Sequence, residues 1–170
     1  MIITRAWAMP DSRTFSIKPI RALIDRYNSP EYFSIDPFAN DCDIATVTND
    51  LDPDSRASCH LDALDFLRQI QPQSVDLILY DPPYSPRQIS ECYKRLGRTV
   101  NMQTTQSSFW SNLKKEIACT VKPNGLAMSF GWNSGGIGKT LGFEQVEILL
   151  VAHGGAHNDT ICVVERKLDT

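Results

Sequence analysis

Features typical of membrane proteins, zinc proteins and disulfide-rich secreted domains are missing from this sequence. No apolar segment is long enough to cross a bilayer, and the first seven residues do not contain the apolar core of a signal peptide. The five cysteines are scattered, odd in number, and form no Cys-x-x-Cys pair. We therefore expect a cytoplasmic protein that binds neither a membrane nor a metal ion.

The charges are distributed unevenly along the chain. Residues 36–83 contain ten aspartates and only two arginines, with no glutamate or lysine, a balance of −8. Residues 85–115 contain six basic residues against one glutamate, a balance of +5. The acidic segment suits a cationic small molecule and the basic segment suits phosphates, although both patterns are equally compatible with ordinary solvated surfaces. The total of −3 argues weakly against a general nucleic-acid binder.

The order of apolar patterns predicts an α/β fold in one domain that spans residues 1–170. The chain is long enough for a full core, and 42% of its residues are apolar. Strand patterns occur at 32–35, 44–48, 75–80, 126–130, 146–152 and 160–164. Helix patterns occur at 18–27, after Asp62, and after Ser107 or Ser108. Because the last two strands flank a glycine-containing hairpin, we expect a mostly parallel sheet with one antiparallel strand.

The connection between the first two strand patterns is unusually short. Only about six residues separate Phe38 from the second pattern, whereas a parallel crossover normally needs a dozen or more, usually including a helix. We therefore expect the first crossover helix to be shortened or absent. Without a helix N-terminus at this place, a dinucleotide or nucleoside triphosphate is a poor candidate ligand, and one without phosphate is favoured.

Asp81-Pro82-Pro83-Tyr84 directly follows the strand pattern at 75–80. Ligands of open α/β sheets bind at the carboxyl ends of the strands. There, a carboxylate and a neighbouring carbonyl can both accept hydrogen bonds from an exocyclic amino group, and an aromatic ring can stack on a planar base. From these residues alone, a strand end followed by a stiff Pro-Pro turn is an equally good interpretation.

Five segments carry a further signal through their order along the chain. They are Ser16-Ile17-Lys18-Pro19-Ile20, Asp36-Pro37-Phe38-Ala39, Asp50-Leu51-Asp52-Pro53, Asp81-Pro82-Pro83-Tyr84 and Val121-Lys122-Pro123-Asn124-Gly125. In this order they resemble the amino-methyltransferases that use S-adenosylmethionine, most closely the N6-adenine DNA methyltransferases. The resemblance covers most of the chain. It implies a Rossmann-like class I methyltransferase fold with about seven strands, the last antiparallel, flanked by helices.

The resemblance implies roles for individual residues. The implied catalytic residues are Asp81, Pro82, Pro83 and Tyr84, and the implied cofactor-binding residues are Ile17, Lys18, Asp36, Pro37, Phe38, Asp50 and Asp62. Asp36 would contact the cofactor amine, Asp50 the ribose hydroxyls, and Asp62 the adenine amino group. The structural alternatives are a carboxylate satisfied by backbone N–H groups at Asp36, a turn cap at Asp50 and a helix N-terminal acid at Asp62.

The sequence departs from the family pattern in two places. The family's cofactor loop, Asp-Pro-Phe-x-Gly-x-Gly, has Asn40-Asp41-Cys42 in place of its Gly-x-Gly half. We expect no separate target-recognition domain, so residues 85–109 are the candidate substitute. The 153–159 loop and a homodimer or partner subunit are further candidates for this role. The candidate DNA-binding residues there are Arg87, Lys94, Arg95 and Arg98, for which a solvated helix face is the alternative.

Other chemistry-bearing residues receive structural interpretations. His60 is interpreted as a hydrogen-bonded bystander, and His153 with His157 supplies too few ligands for a metal. Trp110 is placed in the core because it follows a helical stripe with Leu113 and Ile117. Two functional alternatives stay open, a base-amino methyltransferase acting on RNA and a catalytically idle module that binds S-adenosylmethionine or nucleic acid.

Overall fold

A computed structural model of the chain describes residues 1–97 and 107–169, without the side chains of Pro86 and Ser107. The strands are β1 (Ile2–Trp7), β2 (Ser34–Asp36), β3 (Val47–Thr48), β4 (Val75–Tyr80), β5 (Val121–Gly131), β6 (Phe143–Ala152) and β7 (Thr160–Lys167). The helices are α1 (Lys18–Tyr27), α2 (Ala63–Gln69), α3 (Pro86–Arg95) and α4 (Ser107–Thr120), with short 3-10 helices at Thr14–Ser16 and Lys139–Leu141.

The seven strands form one sheet in the order β1-β6-β7-β5-β4-β2-β3. β7 is antiparallel to both of its neighbours, β5 and β6, whereas the other neighbouring strands pair in parallel. The hairpin that joins β6 to β7 produces this reversal, because a short connection can only join antiparallel strands. The predicted mostly parallel sheet with an antiparallel last strand is therefore confirmed.

Helices cover both faces of the sheet and bury two apolar clusters. On one face, α1 places Ile20, Leu23 and Ile24 against residues of β4 to β7, including Leu79 and Met128. On the other face, α2 and α4 contribute the apolar side chains Phe66, Leu67, Leu113 and Ile117. The predicted stripe of α4 is thus confirmed for Leu113 and Ile117. No helix in the described part of the chain is long and apolar enough to cross a membrane.

The connection from β2 to β3 runs through residues 37–46 as turns and irregular chain, with no helix. This confirms the expected loss of the first crossover helix. β3 is also shorter than the predicted strand at 44–48, since only Val47 and Thr48 pair with β2. The sheet edge next to the candidate cofactor loop is therefore built from short elements.

Apart from shifts of a few residues at several strand ends, the sheet differs from the sequence predictions at β1 and at the start of β5. β1 was not predicted, because most of its side chains are exposed and it shows no clear alternation of apolar and polar residues. It pairs with β6 from Ile2–Glu147 to Trp7–Ala152 and forms an edge of the sheet. The predicted turn at residues 122–125 lies inside β5, where Asn124 has a φ of 64°. The local irregularity also shifts the β4–β5 register between Val75 and Leu77.

Candidate active site

A cleft of about 760 Å³ lies at the carboxyl ends of β2, β3 and β4. Pro37 and Phe38 follow β2, Asp50 lies just beyond β3, and Asp81 follows β4. The N-terminus of α2 adds Asp62 to the same lining. The topology gathers these five predicted site residues in one cleft, because the carboxyl ends of parallel strands meet at one edge of the sheet. The other predicted site residues in the lining are Pro82, Pro83, Tyr84 and Arg95.

Asp36, the last residue of β2, is 1% exposed beneath this cleft. Its Oδ1 accepts a hydrogen bond from the Phe38 N–H at 2.9 Å. Its Oδ2 has no partner among the described residues. Burial raises the pKa of Asp36 well above its ordinary value, and the nearby carboxylates Asp81 and Asp50 raise it further. A buried carboxyl oxygen without a partner is a place where a cationic or hydrogen-bond-donating ligand would be stabilised.

Asn40 stands where the resembled family has the first glycine of its cofactor loop. Its φ of 50° lies in the left-handed region, which asparagine tolerates better than most side chains. The Asn40 N–H donates to Asp50 Oδ2 at 2.9 Å, and this bond joins the loop to the end of β3. The glycine is therefore replaced by a residue that keeps the left-handed turn, so the loop conformation does not depend on glycine here.

Asn49 holds this side of the cleft together and was not singled out from the sequence. Its side chain is fully buried and donates to the carbonyls of Pro37 and Leu61 at 3.1 and 3.0 Å. Its Oδ1 accepts from the Leu61 N–H at 2.9 Å. One amide thus fixes the cofactor loop against the segment that leads to Asp62. The sequence signal that could have identified Asn49 is its place at the end of a predicted strand. A buried amide there needs hydrogen-bond partners from neighbouring segments.

Asp50 and Asp62 line the cleft and also make the structural bonds that were proposed as alternatives. Asp50 Oδ1 accepts from the Asp52 N–H at 2.9 Å, a turn cap. Asp62 Oδ1 accepts from the Leu64 N–H at 3.0 Å and caps α2, and its Oδ2 accepts from the Tyr93 hydroxyl. Each carboxylate oxygen has a second lone pair, so these bonds leave acceptor capacity for a ligand.

The segment before α1 contacts the cleft at different residues from those predicted. Residues 12–16 line the cleft, and a hydrogen bond from the Thr14 side chain lowers the pKa of Asp81. Ile17 is buried in the apolar cluster under α1, and Lys18 is exposed. Neither of these two side chains lines the cleft, so their proposed cofactor contacts remain untested predictions.

Asp81-Pro82-Pro83-Tyr84, the candidate catalytic turn, is held by bonds within itself and from two helices. The Tyr84 hydroxyl donates to Asp81 Oδ1, and the Tyr84 N–H donates to Gln88 Oε1 of α3 at 2.7 Å. Burial raises the pKa of Asp81, while hydrogen bonds from Tyr84 and Thr14 lower it in part. Burial and the adjacent Asp81 raise the pKa of Tyr84, so its hydroxyl keeps its proton.

Trp110 of α4 has a different role from the core position predicted for it. Its indole Nε1 donates to the Pro83 carbonyl at 3.0 Å, which anchors the catalytic turn from the second helix. The side chain is only partly buried and contacts Phe109 edge-on, with ring centroids 5.6 Å apart. The apolar stripe of α4 correctly indicated that the ring faces the protein, but a helical pattern does not show which polar group an indole N–H will meet.

A second cavity of about 370 Å³ lies on the other side of the catalytic turn. Pro82 and Tyr84 line both cavities, so the turn separates them. The Tyr84 and Trp132 rings lie 5.2 Å apart at 38°. Gly131 packs closely there, because a Cβ at this position would lie 3.1 Å from the Tyr84 ring and would require the ring to shift slightly. The site is therefore two adjoining cavities with Pro82 and Tyr84 at their boundary and Asp81 in the lining of the first.

The basic residues after the catalytic turn lie on α3 and beyond it. Arg87, Lys94 and Arg95 are exposed, and Arg87 forms an ion pair with Glu91 at 2.8 Å. Arg95 also lines the first cavity. Arg98 and part of the candidate recognition segment 85–109 lie outside the described residues. The described part of the segment therefore presents positive charge beside the cleft, and its role in DNA binding stays a prediction.

The three histidines lie in different environments. His60 Nδ1 lies 3.0 Å from the Asp52 carbonyl. His153 is buried between the Ala8 carbonyl and the Thr160 hydroxyl, at 2.9 and 2.8 Å. His157 is exposed. Within residues 1–97 and 107–169 no group of His, Cys, Asp and Glu is arranged to hold a metal ion.

No protein-family model and no curated protein sequence matches this chain, but solved structures match its fold. The 1,6-didemethyltoxoflavin-N1-methyltransferase of Burkholderia thailandensis, with bound S-adenosylhomocysteine, aligns with a TM-score of 0.60 at 11% identity, over 89% of this chain and 78% of that chain. TrmN from Thermus thermophilus aligns with a TM-score of 0.58 at 16% identity, over 89% of this chain and 49% of that chain. The N-methyltransferase NodS from Bradyrhizobium japonicum WM9 aligns with a TM-score of 0.57 at 10% identity, over 94% of this chain and 100% of that chain.

The fold is that of S-adenosylmethionine-dependent methyltransferases. This confirms the predicted fold class, and the predicted cofactor is the cofactor of these neighbours. The first cavity is the candidate cofactor site. Asp50 and Asp62 line it, and the buried Asp36 directly precedes its lining residues Pro37 and Phe38. S-adenosylmethionine carries a sulfonium and an ammonium group as well as hydroxyl and amino donors. The acidic lining and the orphaned oxygen of Asp36 fit such a ligand.

Proposed function

We propose that this chain transfers a methyl group from S-adenosylmethionine to the exocyclic N6 amino group of adenine in DNA. The observation that carries the proposal is the position of the turn 81–84 between two cavities. Asp81 lines the acidic cleft, and Pro82 and Tyr84 line both that cleft and the aromatic-lined cavity. A group that must accept hydrogen bonds from an amine and also stand beside a methyl donor needs this position. The ordered segments that resemble N6-adenine DNA methyltransferases support the same assignment.

The first cavity would hold the cofactor. Asp36 would accept from its ammonium group, Asp50 from its ribose hydroxyls and Asp62 from its adenine amino group, each through the acceptor capacity described above. When bound, S-adenosylmethionine supplies an electrophilic methyl group on a sulfonium sulfur, which is already a good leaving group. The chain is therefore required to position the acceptor amine rather than to activate the donor.

Asp81 and the Pro82 carbonyl would hold the target amino group. Two acceptors on its N–H bonds bias the nitrogen toward a pyramidal geometry and aim its lone pair away from the turn. Asp81 can also accept the proton that the nitrogen loses once the new N–C bond has formed. Tyr84 would stack on the base after releasing its hydroxyl from Asp81 Oδ1.

A base in duplex DNA has to leave the duplex to reach Asp81. The proposal of DNA as the substrate therefore needs a surface that stabilises an unstacked base. The second cavity supplies the aromatic surface that stabilises an unstacked base, through Tyr84 and Trp132. Lys94 and the cleft-lining Arg95 at the end of α3 would supply positive charge for the phosphates. Residues 85–109 are a short segment for target recognition, so we expect low sequence specificity, or a partner subunit that adds it.

The deciding experiment incubates the purified chain with methyl-labelled S-adenosylmethionine and duplex DNA, single-stranded DNA, RNA or free adenosine. Mass spectrometry then identifies the modified base. We expect N6-methyladenine in DNA, loss of transfer by at least 100-fold in Asp81→Ala, and nearly unchanged cofactor affinity by calorimetry. Asp65→Asn, an exposed aspartate on α2, is the matched control and keeps wild-type activity.

Other outcomes separate the alternatives. Methylation of RNA alone would favour the RNA enzyme. Methylation of adenosine alone would favour a small-molecule methyltransferase. The Burkholderia thailandensis neighbour is named as an enzyme of that kind. Absence of cofactor binding would favour a catalytically idle module, which the altered residues Asn40-Asp41-Cys42 keep under consideration. Full activity of Asp81→Ala would overturn the assigned role of the turn.

A further inference from the structure

Two buried hydroxyl groups in the second cavity have no hydrogen-bond partner. Tyr80 is 3% exposed and Ser129 is 9% exposed, and both residues line the cavity. Among the described residues, neither the Tyr80 hydroxyl nor the Ser129 Oγ meets a donor or acceptor. Buried polar groups in folded proteins are nearly always paired, so two orphans in one cavity indicate a ligand that pairs them.

The sheet places these two hydroxyls side by side. Tyr80 of β4 and Ser129 of β5 are register partners in a parallel pair, so their side chains project from the same face of neighbouring strands. The hydroxyls are therefore held by two neighbouring central strands, and Tyr80 is the last residue before Asp81, which is proposed to hold the reacting amine.

The remaining walls of this cavity restrict the shape of the ligand. Tyr84, Trp110 and Trp132 supply aromatic surface, and Lys114 adds one cationic group. Aromatic walls favour a flat, aromatic molecule, and the buried hydroxyl pair requires hydrogen-bonding atoms along its edge. A nucleobase combines these two properties, because its ring nitrogens lie in the plane of the ring and accept hydrogen bonds.

We propose that Tyr80 and Ser129 are specificity-determining residues whose hydroxyls donate to ring nitrogens of the methyl-accepting base while its amino group lies at Asp81. This inference rests on the proposed function and identifies the side chains that recognise the base. Burial raises the pKa of Tyr80, so its hydroxyl keeps the proton that a donor needs. The Ser129 hydroxyl can rotate to point its proton at a ligand.

The test uses Tyr80→Phe and Ser129→Ala, each of which removes one oxygen, and DNA in which the target adenine is replaced by its 1-deaza, 3-deaza or 7-deaza analogue. We expect each variant to lose about tenfold in kcat/KM on adenine, the effect of one buried hydrogen bond, with unchanged cofactor affinity. The wild-type protein loses a similar factor on the analogue that lacks the matching nitrogen. The variant loses nothing further on that analogue, because the same bond is already absent.

Stability distinguishes a role in ligand reading from a structural role. Removing an unpaired buried hydroxyl leaves no broken bond, so both variants should unfold at the same or a higher urea concentration than the wild type. Tyr27→Phe is the matched control. Its hydroxyl is bonded to buried Glu147 at 2.8 Å, so this variant should unfold at lower urea concentration and keep wild-type kcat/KM.

Two negative results have different meanings. If the wild-type protein methylates DNA adenine and both variants keep full kcat/KM on it, the reading role of Tyr80 and Ser129 is overturned and the proposed function stands. Equal further losses on all three analogues would overturn the reading role in the same way, since no particular nitrogen would be coupled to the hydroxyl. A wild-type protein that methylates no adenine substrate overturns the proposed function and this inference together.

Discussion

The Tyr84 hydroxyl donates a hydrogen bond to Oδ1 of Asp81, three residues earlier in the same turn. The two residues with the most direct catalytic assignments are thus bonded to each other. The bond keeps the ring of Tyr84 beside Trp132 and occupies an acceptor that the target amine would need. Substrate binding therefore has to exchange this bond for one from the base, at little net cost because one donor replaces another.

Replacing Tyr84 with phenylalanine tests the electrostatic side of this contact. Burial raises the pKa of Asp81, and the Tyr84 and Thr14 hydroxyls lower it. Without the Tyr84 bond the Asp81 pKa rises, so the ionised form that accepts from an amine persists only at higher pH. The acidic limb of the kcat/KM profile should move to higher pH, and activity below it should fall about tenfold for each unit of displacement.

Thr14→Val is the parallel variant, because it removes the second hydroxyl bonded to Asp81. Its acidic limb should move in the same direction, with the stacking ring of Tyr84 intact. An acidic limb that coincides with the wild-type profile in both variants would show that Asp81 ionisation does not control transfer. The profiles require only initial rates with DNA across a buffer series at fixed ionic strength.

Asp36 links stability to cofactor binding. Burial raises its pKa well above the ordinary value, so the native protein binds this proton more tightly than the unfolded chain does. The favourable contribution is complete below the unfolded pKa of about 3.9 and is lost as the pH rises through the raised native pKa. The Asp36→Asn variant has no ionisable group at this position and does not lose this stabilisation. Its free energy of unfolding should therefore exceed the wild-type value at pH 8. The excess should shrink toward pH 5.

Urea unfolding at several pH values measures this difference, and calorimetry measures the functional side. If Asp36 Oδ2 receives the cofactor ammonium, Asp36→Asn should weaken S-adenosylmethionine binding by about tenfold or more, the loss of a charge-assisted bond. The exposed Asp65→Asn variant should show neither effect. Equal cofactor affinity in Asp36→Asn and wild type would mean that the orphaned oxygen has another purpose.

The parts of the site that were predictable from sequence lie at the ends of strands. The apolar run that forms β4 fixed the place of Asp81, and the short interval after Phe38 predicted the missing helix. Both inferences use local periodicity and chain length, which determine where an element stops. The cleft then followed from the rule that parallel strands deliver their carboxyl ends to one edge.

The parts that were not predictable depend on contacts between distant residues. Trp110 lies 27 positions from the Pro83 carbonyl that it binds, and Asn49 bonds groups 12 positions away on both sides. The pairing of Tyr80 with Ser129 depends on the β4–β5 register. Periodicity identifies the buried face of an element, but the partner of a buried polar group is decided by packing.

Variants of Asp62 can distinguish its structural role as the cap of α2 from its proposed role in cofactor binding. It caps α2 through Leu64, and its other oxygen accepts from Tyr93. Asn is as good an N-cap as Asp, so Asp62→Asn should keep the free energy of unfolding within about 0.5 kcal/mol, whereas Asp62→Ala should lose about 1 kcal/mol. Both variants remove the charged acceptor and should bind S-adenosylmethionine about tenfold more weakly. Wild-type cofactor affinity in Asp62→Asn would restrict this residue to capping.

The positive charge of α3 can be tested through the salt dependence of DNA binding. Lys94 and Arg95 are exposed at the end of α3, beside the cleft that contains Asp81. If both bind phosphates, the double variant Lys94→Ala/Arg95→Ala should bind DNA more weakly. The slope of log K against log salt should then fall by about 0.9 for each phosphate that is no longer neutralised.

Arg68→Gln on α2 is the control for this double variant, because it removes an ion-paired charge outside the α3 segment and should leave the slope unchanged. Cofactor affinity should stay at the wild-type value in both proteins, since neither change removes an acceptor proposed for the cofactor. A slope that the double variant does not change would remove α3 from the DNA interface. Residues outside the described ranges, such as Arg98, would then have to supply the positive charge that binds the phosphates.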